Sequence, residues 1–113
     1  MGKAERESIS LQSGLHQEID LNYSELRKAV LILRAVNHKL RQNIISLLEQ
    51  NEKMTVTDLY VKLRLEQSVA SQHLAILRRA GVVSTERNGK FIYYYLNEER
   101  LGQINELVED LIQ

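Results

Sequence analysis

From Leu26 onward the apolar residues of this chain recur at helical spacing, and near its end they switch to the alternation of a hairpin. Leu26, Ala29, Val30 and Leu33 stand at i, i+3, i+4 and i+7 behind Asn22 and Glu25, a pair that resembles a capping box. A second helix is expected to start near Asn37 and end around Gln50 and Asn51, with Leu40, Ile44, Leu47 and Leu48 on one face and Lys39 and Arg41 on its polar side. Thr55 and Asp58 form the next capping box and open a short helix through Leu63, burying Val56, Leu59 and Leu63. About three residues later another helix runs from about Gln67 to Ala80, with Val69, Ala70, Leu74 and Leu77 inward and Gly81 placed to supply a left-handed cap. Two helices joined by so tight a turn outline a helix-turn-helix unit.

The period then becomes two. Val82 to Arg87 and Phe91 to Leu96 are β-branched or aromatic runs separated by Asn88-Gly89, which predicts a two-residue type I′ hairpin with Arg87 opposite Lys90 at the tip. A last helix from about Glu98 to Ile112 places Leu101, Ile104, Leu107, Val108 and Leu111 on one side. Residues 1–20 are polar with weak periodicity and are expected to form a mobile tail or a frayed helix, leaving residues 21–113 as the one folded domain. In so small a protein the stripes of the first and last helices cannot all be buried internally. Leu26, Val30, Leu33, Leu101, Ile104, Leu107, Val108 and Leu111 are therefore expected to form a homodimer interface.

The fold class this order predicts is mainly α with a small β-hairpin wing, a winged helix-turn-helix. The long second helix of that unit suits the major groove of double-stranded DNA, where each base pair presents its own donor and acceptor pattern. Gln67, Ser68, Ser71, Gln72 and His73 are the candidate base-reading residues. Lys62, Arg64, Arg78 and Arg79 flank that helix, and Arg87 and Lys90 sit at the hairpin tip, so these six are candidates for backbone or wing contacts. The formal net charge of the 113 residues is zero, yet its distribution is uneven. Between Lys53 and Leu96 seven basic residues face three acids, whereas from Asn97 onward one Arg faces five acids. A basic middle between acidic ends fits a phosphate footprint. The zero total leaves open a second reading, a winged helix serving as a protein-interaction module.

Composition excludes several other classes. With no cysteine there is no disulfide framework, thiolate metal site or thiol redox sensor, and a reducing cytosol suits the chain. No apolar run approaches the roughly 20 residues of a membrane span, so no membrane partner is expected. His16, His38 and His73 lie on three segments without metal-ligand spacing, so neither metal nor cofactor is expected. No phosphate-cradling glycine loop, nucleophile with a base, or carboxylate pair points to an enzyme.

The stretch Leu65-Glu66-Gln67-Ser68-Val69-Ala70-Ser71-Gln72-His73-Leu74-Ala75-Ile76-Leu77-Arg78-Arg79-Ala80-Gly81-Val82-Val83 resembles the ArsR/SmtB family of bacterial repressors. The similarity continues through Arg87-Asn88-Gly89-Lys90 and Tyr93-Tyr94-Tyr95-Leu96, and covers about residues 30–112. Upstream, His38-Lys39-Leu40-Arg41 resembles the family's His-Pro-x-Arg helix start, with Lys39 in place of proline. The resemblance implies homodimers that bind imperfect palindromes in promoters and read DNA at positions falling here on Gln67, Ser68, Ser71, Gln72 and His73. Glu66 departs from the usual Ser or Thr before that helix, which implies weaker capping. Thr55-Val56-Thr57 stands where thiol-metal members carry Cys-Val-Cys, and Glu98, Arg100 and Leu111 occupy the last-helix zinc positions. The resemblance therefore implies a metal-independent member.

Overall fold

The structure, a computed structural model, describes residues 8–12 and 18–113. The chain divides into two compact units, Met1–Leu33 and Arg34–Gln113, with the division inside the first helix. In the first unit β1 (Ser8–Gln12) pairs antiparallel with β2 (Glu18–Asn22), and α1 (Tyr23–Val36) follows directly. The tail or frayed helix expected before residue 21 is thus replaced by strands at these positions, while residues 1–7 and 13–17 lie outside the described residues. The reason is a period of two too short to stand out: the sequences Ser-Ile-Ser-Leu-Gln and Glu-Ile-Asp-Leu-Asn alternate, and the register sets Ile9 opposite Leu21 and Leu11 opposite Ile19. Asn22 then caps α1, its Oδ1 accepting from the Glu25 N–H at 3.1 Å.

The second unit contains the end of α1, then α2 (Lys39–Asn51), β3 (Lys53–Thr55), α3 (Val56–Leu63), α4 (Gln67–Arg79), β4 (Val83–Asn88), β5 (Phe91–Leu96) and α5 (Glu98–Ile112). Its core is made by Ile44 and Leu48 of α2, Leu59 of α3, Leu74 and Leu77 of α4, and Val82 and Val83 ahead of and within β4, all fully buried. Burying each such side chain stabilises the fold by about 1.5–3 kcal/mol before conformational entropy is counted. Among the described residues no helix is long and apolar enough to cross a membrane.

The helix ends follow from local chemistry. Thr55 and Asp58 make the reciprocal capping box, with bonds of 3.1 and 3.2 Å. Gly81 has φ +76°, and the Val82 N–H donates to the Leu77 carbonyl while the Gly81 N–H donates to that of Arg78. That pair of bonds is a Schellman motif, which satisfies carbonyls that α4 would otherwise leave open. The same pattern closes α3, with Arg64 at φ +57° and the Leu65 N–H donating to the Tyr60 carbonyl.

The sheet differs from expectation in two ways. Its order is β3-β5-β4, and β3 does not stand out in the sequence because three residues cannot display alternation and Thr55 doubles as the α3 cap. The hairpin turn is Gly89-Lys90, not Asn88-Gly89: Asn88 pairs with Phe91 and Arg87 with Ile92, correcting the expected Arg87 to Lys90 pairing. Gly89 alone takes positive φ, at +66°, which fits the type II′ turn, where only the first central residue needs it. The pairing moves by two residues, so the side chains sharing each face are unchanged.

Substituting Gly81→Ala is expected to cost about 1–2 kcal/mol, because a Cβ at positive φ meets its own carbonyl. Urea unfolding checks this, and a variant as stable as the parent would show that the cap is not strained by a side chain.

Candidate nucleic-acid interface

Three residues, Arg64, Leu65 and Glu66, join α3 to α4, and the left-handed Arg64 makes the turn tight. Helix α4 forms with Glu66 as N-cap, yet no side chain accepts from its first turn, in keeping with the weaker capping expected of glutamate there. Ala70, Leu74 and Leu77 are buried, so one face of α4 is fixed against the core. Gln67, Ser68, Ser71, Gln72, Ala75, Arg78 and Arg79 are exposed along its other side. Arg78 and Arg79 in the last turn also suit the negative end of the helix dipole.

The structure separates His73 from the four polar residues grouped with it. His73 is half-buried, and its Nδ1 accepts from Arg41 Nη1 at 3.1 Å. Since a guanidinium only donates, the Nδ1 must be unprotonated and the hydrogen of neutral His73 sits on Nε2. Arg41 is itself a correction to the sequence reading. Expected on the polar side of α2, it is only 9% exposed. Its Nε donates to the Ala35 carbonyl at 2.6 Å and its Nη2 to the Arg34 carbonyl at 3.1 Å. Together with Gln42 Nε2, which donates to the Val36 carbonyl at 2.9 Å, it caps the C-terminal end of α1. A signal for this exists in the sequence: Arg41, Ile44 and Leu48 share i, i+3, i+7 spacing, so Arg41 lies on the apolar stripe.

His38 completes the cluster. Its Nδ1 accepts from the Leu40 N–H as the cap of α2, and its ring lies 5.0 Å from that of His73. Burial first, then the Arg41 charge and then His38, lowers the His73 pKa below the ordinary histidine value.

The remaining cations fall at different places. Arg87 and Lys90 are exposed at the wing tip, with the Lys90 ammonium 5.5 Å from the Phe91 ring centroid. Arg64 is exposed at the turn. Lys62 lines a separate hollow with Thr57, Val61 and Lys53, away from the polar stripe of α4. Lys53 is engaged by Glu86 at 3.0 Å, whose hydrogen bond and charge raise its pKa.

Sequence reasoning missed one residue of this surface. Tyr94 of β5 lines a hollow of about 410 Å³ together with Ser71, Ala75, Arg78 and Arg79. The strand alternation places it on the face of Ile92 and Leu96, and its neighbours in the sheet are Thr85 and the buried Met54. Among the described residues no three of His, Cys, Asp and Glu gather into a metal-binding group.

A family model of bacterial regulatory proteins of the arsR family matches residues 38–85, from the α2 cap into β4. The transcriptional activator HlyU of Vibrio cholerae is 37% identical over 95 residues, covering 84% of each chain. The solved structure of that protein superimposes with a TM-score of 0.60 at 36% identity, over 79% of this chain and 97% of the other. The transcriptional repressor PagR of Bacillus anthracis superimposes with a TM-score of 0.62 at 31% identity, over 76% and 98%. The winged helix-turn-helix DNA-binding domain Mb0332 of Mycobacterium bovis, 23% identical with a TM-score of 0.66 over 80% and 82%, shares the fold.

The His73 geometry fixes the sign of one pH effect. With its folded pKa depressed, the unfolded chain binds more protons, so this group's contribution is full above the unfolded value of about 6.5 and is lost as pH falls through the folded pKa. Urea-unfolding free energy is expected to fall between pH 7 and pH 5 more steeply in the parent than in His73→Gln. Parallel pH profiles would contradict it.

Proposed function

The chain belongs to the ArsR family of bacterial transcriptional regulators, and on that premise we propose that it is a homodimeric cytoplasmic repressor binding an imperfect palindrome in a promoter. The observation that carries the reading is the exposed polar stripe of α4, backed on its other face by Ala70, Leu74 and Leu77. A helix of 13 residues is about 20 Å long and fits a major groove about 12 Å wide.

Gln67, Ser68, Ser71 and Gln72 are assigned to base edges, for which uncharged side chains that both donate and accept are suited. Arg78, Arg79, Arg87 and Lys90 are assigned to phosphates, where position is permissive and charge supplies affinity. Arg64 at the turn and Lys62 at the end of α3 belong to the same backbone set, with Lys62 at its margin. His73 supports the surface from behind through Arg41, and its Nε2 hydrogen is the group it has to offer.

The homodimer part of the reading rests on exposed apolar residues. Leu26 and Val30 of α1, and Leu107, Val108 and Leu111 of α5, are exposed, while Leu33, Leu101 and Ile104 are half-buried. Apolar stripes of this extent call for a partner surface, and a two-fold pairing would set two α4 helices at half-sites about 34 Å apart. The acids of α5, Glu98, Glu99, Glu106, Glu109 and Asp110, suit a face turned away from phosphates. Relatives are named both as an activator and as repressors; we assign repression because occupying a promoter palindrome obstructs polymerase without further parts.

The division of roles gives separable outcomes. Gln72→Ala is expected to cost about 1–3 kcal/mol on the specific site and to relax selectivity at one base pair, whereas Lys90→Ala weakens all duplexes alike and lowers the salt slope by about one. Fluorescence anisotropy across a salt series reads both. Uniform losses from both variants would overturn the assignment, and a monomer in sedimentation at micromolar concentration would overturn the dimer.

A further inference from the structure

We propose that the hollow between α4 and the wing seats one backbone phosphate of duplex DNA, and that the Tyr94 hydroxyl holds this phosphate together with Arg78. The inference rests on the DNA-binding reading above and adds to it a residue and a contact class. Of the five residues lining the hollow, Ser71 and Tyr94 offer hydroxyls and Arg78 and Arg79 offer guanidiniums. All four can donate, and no carboxylate lines the space. A site that is rich in donors and carries two positive charges is matched by a ligand that carries negative charge and only acceptors, as a phosphodiester does.

Position supports the same ligand. Ser71, Ala75 and Arg78 stand at i, i+4 and i+7, so the hollow starts at Ser71, on the edge of the stripe assigned to base edges, and follows α4 toward its C-terminal end. A helix lying in the major groove brings that flank toward a strand bordering the groove. Ala75, the smallest side chain of the lining, leaves room between Ser71 and the two arginines for an oxygen to enter.

Tyr94 is suited to fix the height of such an oxygen. It lies in the central strand, paired with Met54 on one side and Thr85 on the other, and it is half-buried. A ring held in that way loses little freedom when its hydroxyl is engaged. Among the described residues its hydroxyl has no hydrogen-bond partner within the protein. Because the phenol is neutral, it adds a hydrogen bond without displacing a counterion, so its effect on binding should be independent of salt.

The test is anisotropy of the parent, Tyr94→Phe, Arg78→Ala and the double variant. Each is measured on a duplex from upstream of the gene encoding this chain and on its scrambled counterpart, over a salt series, with melting temperatures recorded. Tyr94→Phe keeps the ring, so its melting temperature should match the parent. Its affinity should fall about five- to tenfold on both duplexes with an unchanged salt slope, while Arg78→Ala lowers the slope by about one. Two groups holding one phosphate are coupled, so the double variant should lose less than the product of the single losses. Parent-like affinity for Tyr94→Phe, a loss confined to one duplex, or single losses that multiply would overturn the shared seat while leaving the DNA-binding reading intact. A small-anion site would instead show as binding of inorganic phosphate that does not compete with the duplex at constant ionic strength, with duplex affinity unaffected by Tyr94→Phe, which also overturns it. Failure of the parent to bind either duplex at low salt would remove the DNA-binding reading and this inference with it.

Discussion

A buried guanidinium that has no carboxylate partner among the described residues ties the helices of the second unit together. Arg41 reaches the Arg34 and Ala35 carbonyls at the end of α1 and the His73 ring on α4, so one side chain of α2 joins three helices. Burying a cation is costly unless its donors are matched. Here three acceptors lie at 2.6–3.1 Å, and among the described residues no buried side-chain nitrogen or oxygen is left without a partner. The carbonyls it meets are those that a helix end leaves open, so one contact answers two unsatisfied sets. Lysine could not substitute, since a single ammonium has no planar fork to span three acceptors.

This anchoring ties α4 to α1 and α2 from behind its exposed face. His73 must stay neutral to accept from Arg41, and Ala70, Leu74 and Leu77 bury the same side of α4. The exposed stripe of the helix is therefore presented without contributing to the core, and its residues are free to be chosen for chemistry. The Schellman closures at Arg64 and Gly81 fix where α3 ends and where α4 gives way to the sheet. The sheet in turn carries Tyr94 to the flank of α4 and the wing cations to its tip.

Much of this is legible in the sequence where local chemistry decides. The Thr55 and Asp58 box, the Gly81 cap and the helical spacing of α2 to α5 are short-range signals, and the structure realises them. The elements that escape such a reading depend on partners distant in sequence. Lys53–Thr55 becomes a strand only because β5 lies beside it, and Arg41 is buried only because α1 ends where it can reach the carbonyls. Tyr94 reads as one of three tyrosines until the sheet sets it against α4. Asn88-Gly89 is the stronger dipeptide for a type I′ turn, but Asn88 pairs with Phe91, which places glycine first in the turn. Of the five residues expected on sequence grounds to read bases, Gln67, Ser68, Ser71 and Gln72 are exposed on α4, while the bond to Arg41 sets His73 apart.

Zero net charge is compatible with a nucleic-acid partner because the charge is segregated, with cations on α4, the turn and the wing and acids on α5. In the proposed reading, specificity rests on the uncharged stripe and affinity on the cations around it. The most direct measurement is the affinity of the unmodified protein for the duplex upstream of its own gene against a scrambled duplex across a salt series. A preference of about 10³ or more with a steep negative salt slope is the expected result. Equal affinity for the two, or no binding even at low salt, would contradict a sequence-reading surface on α4.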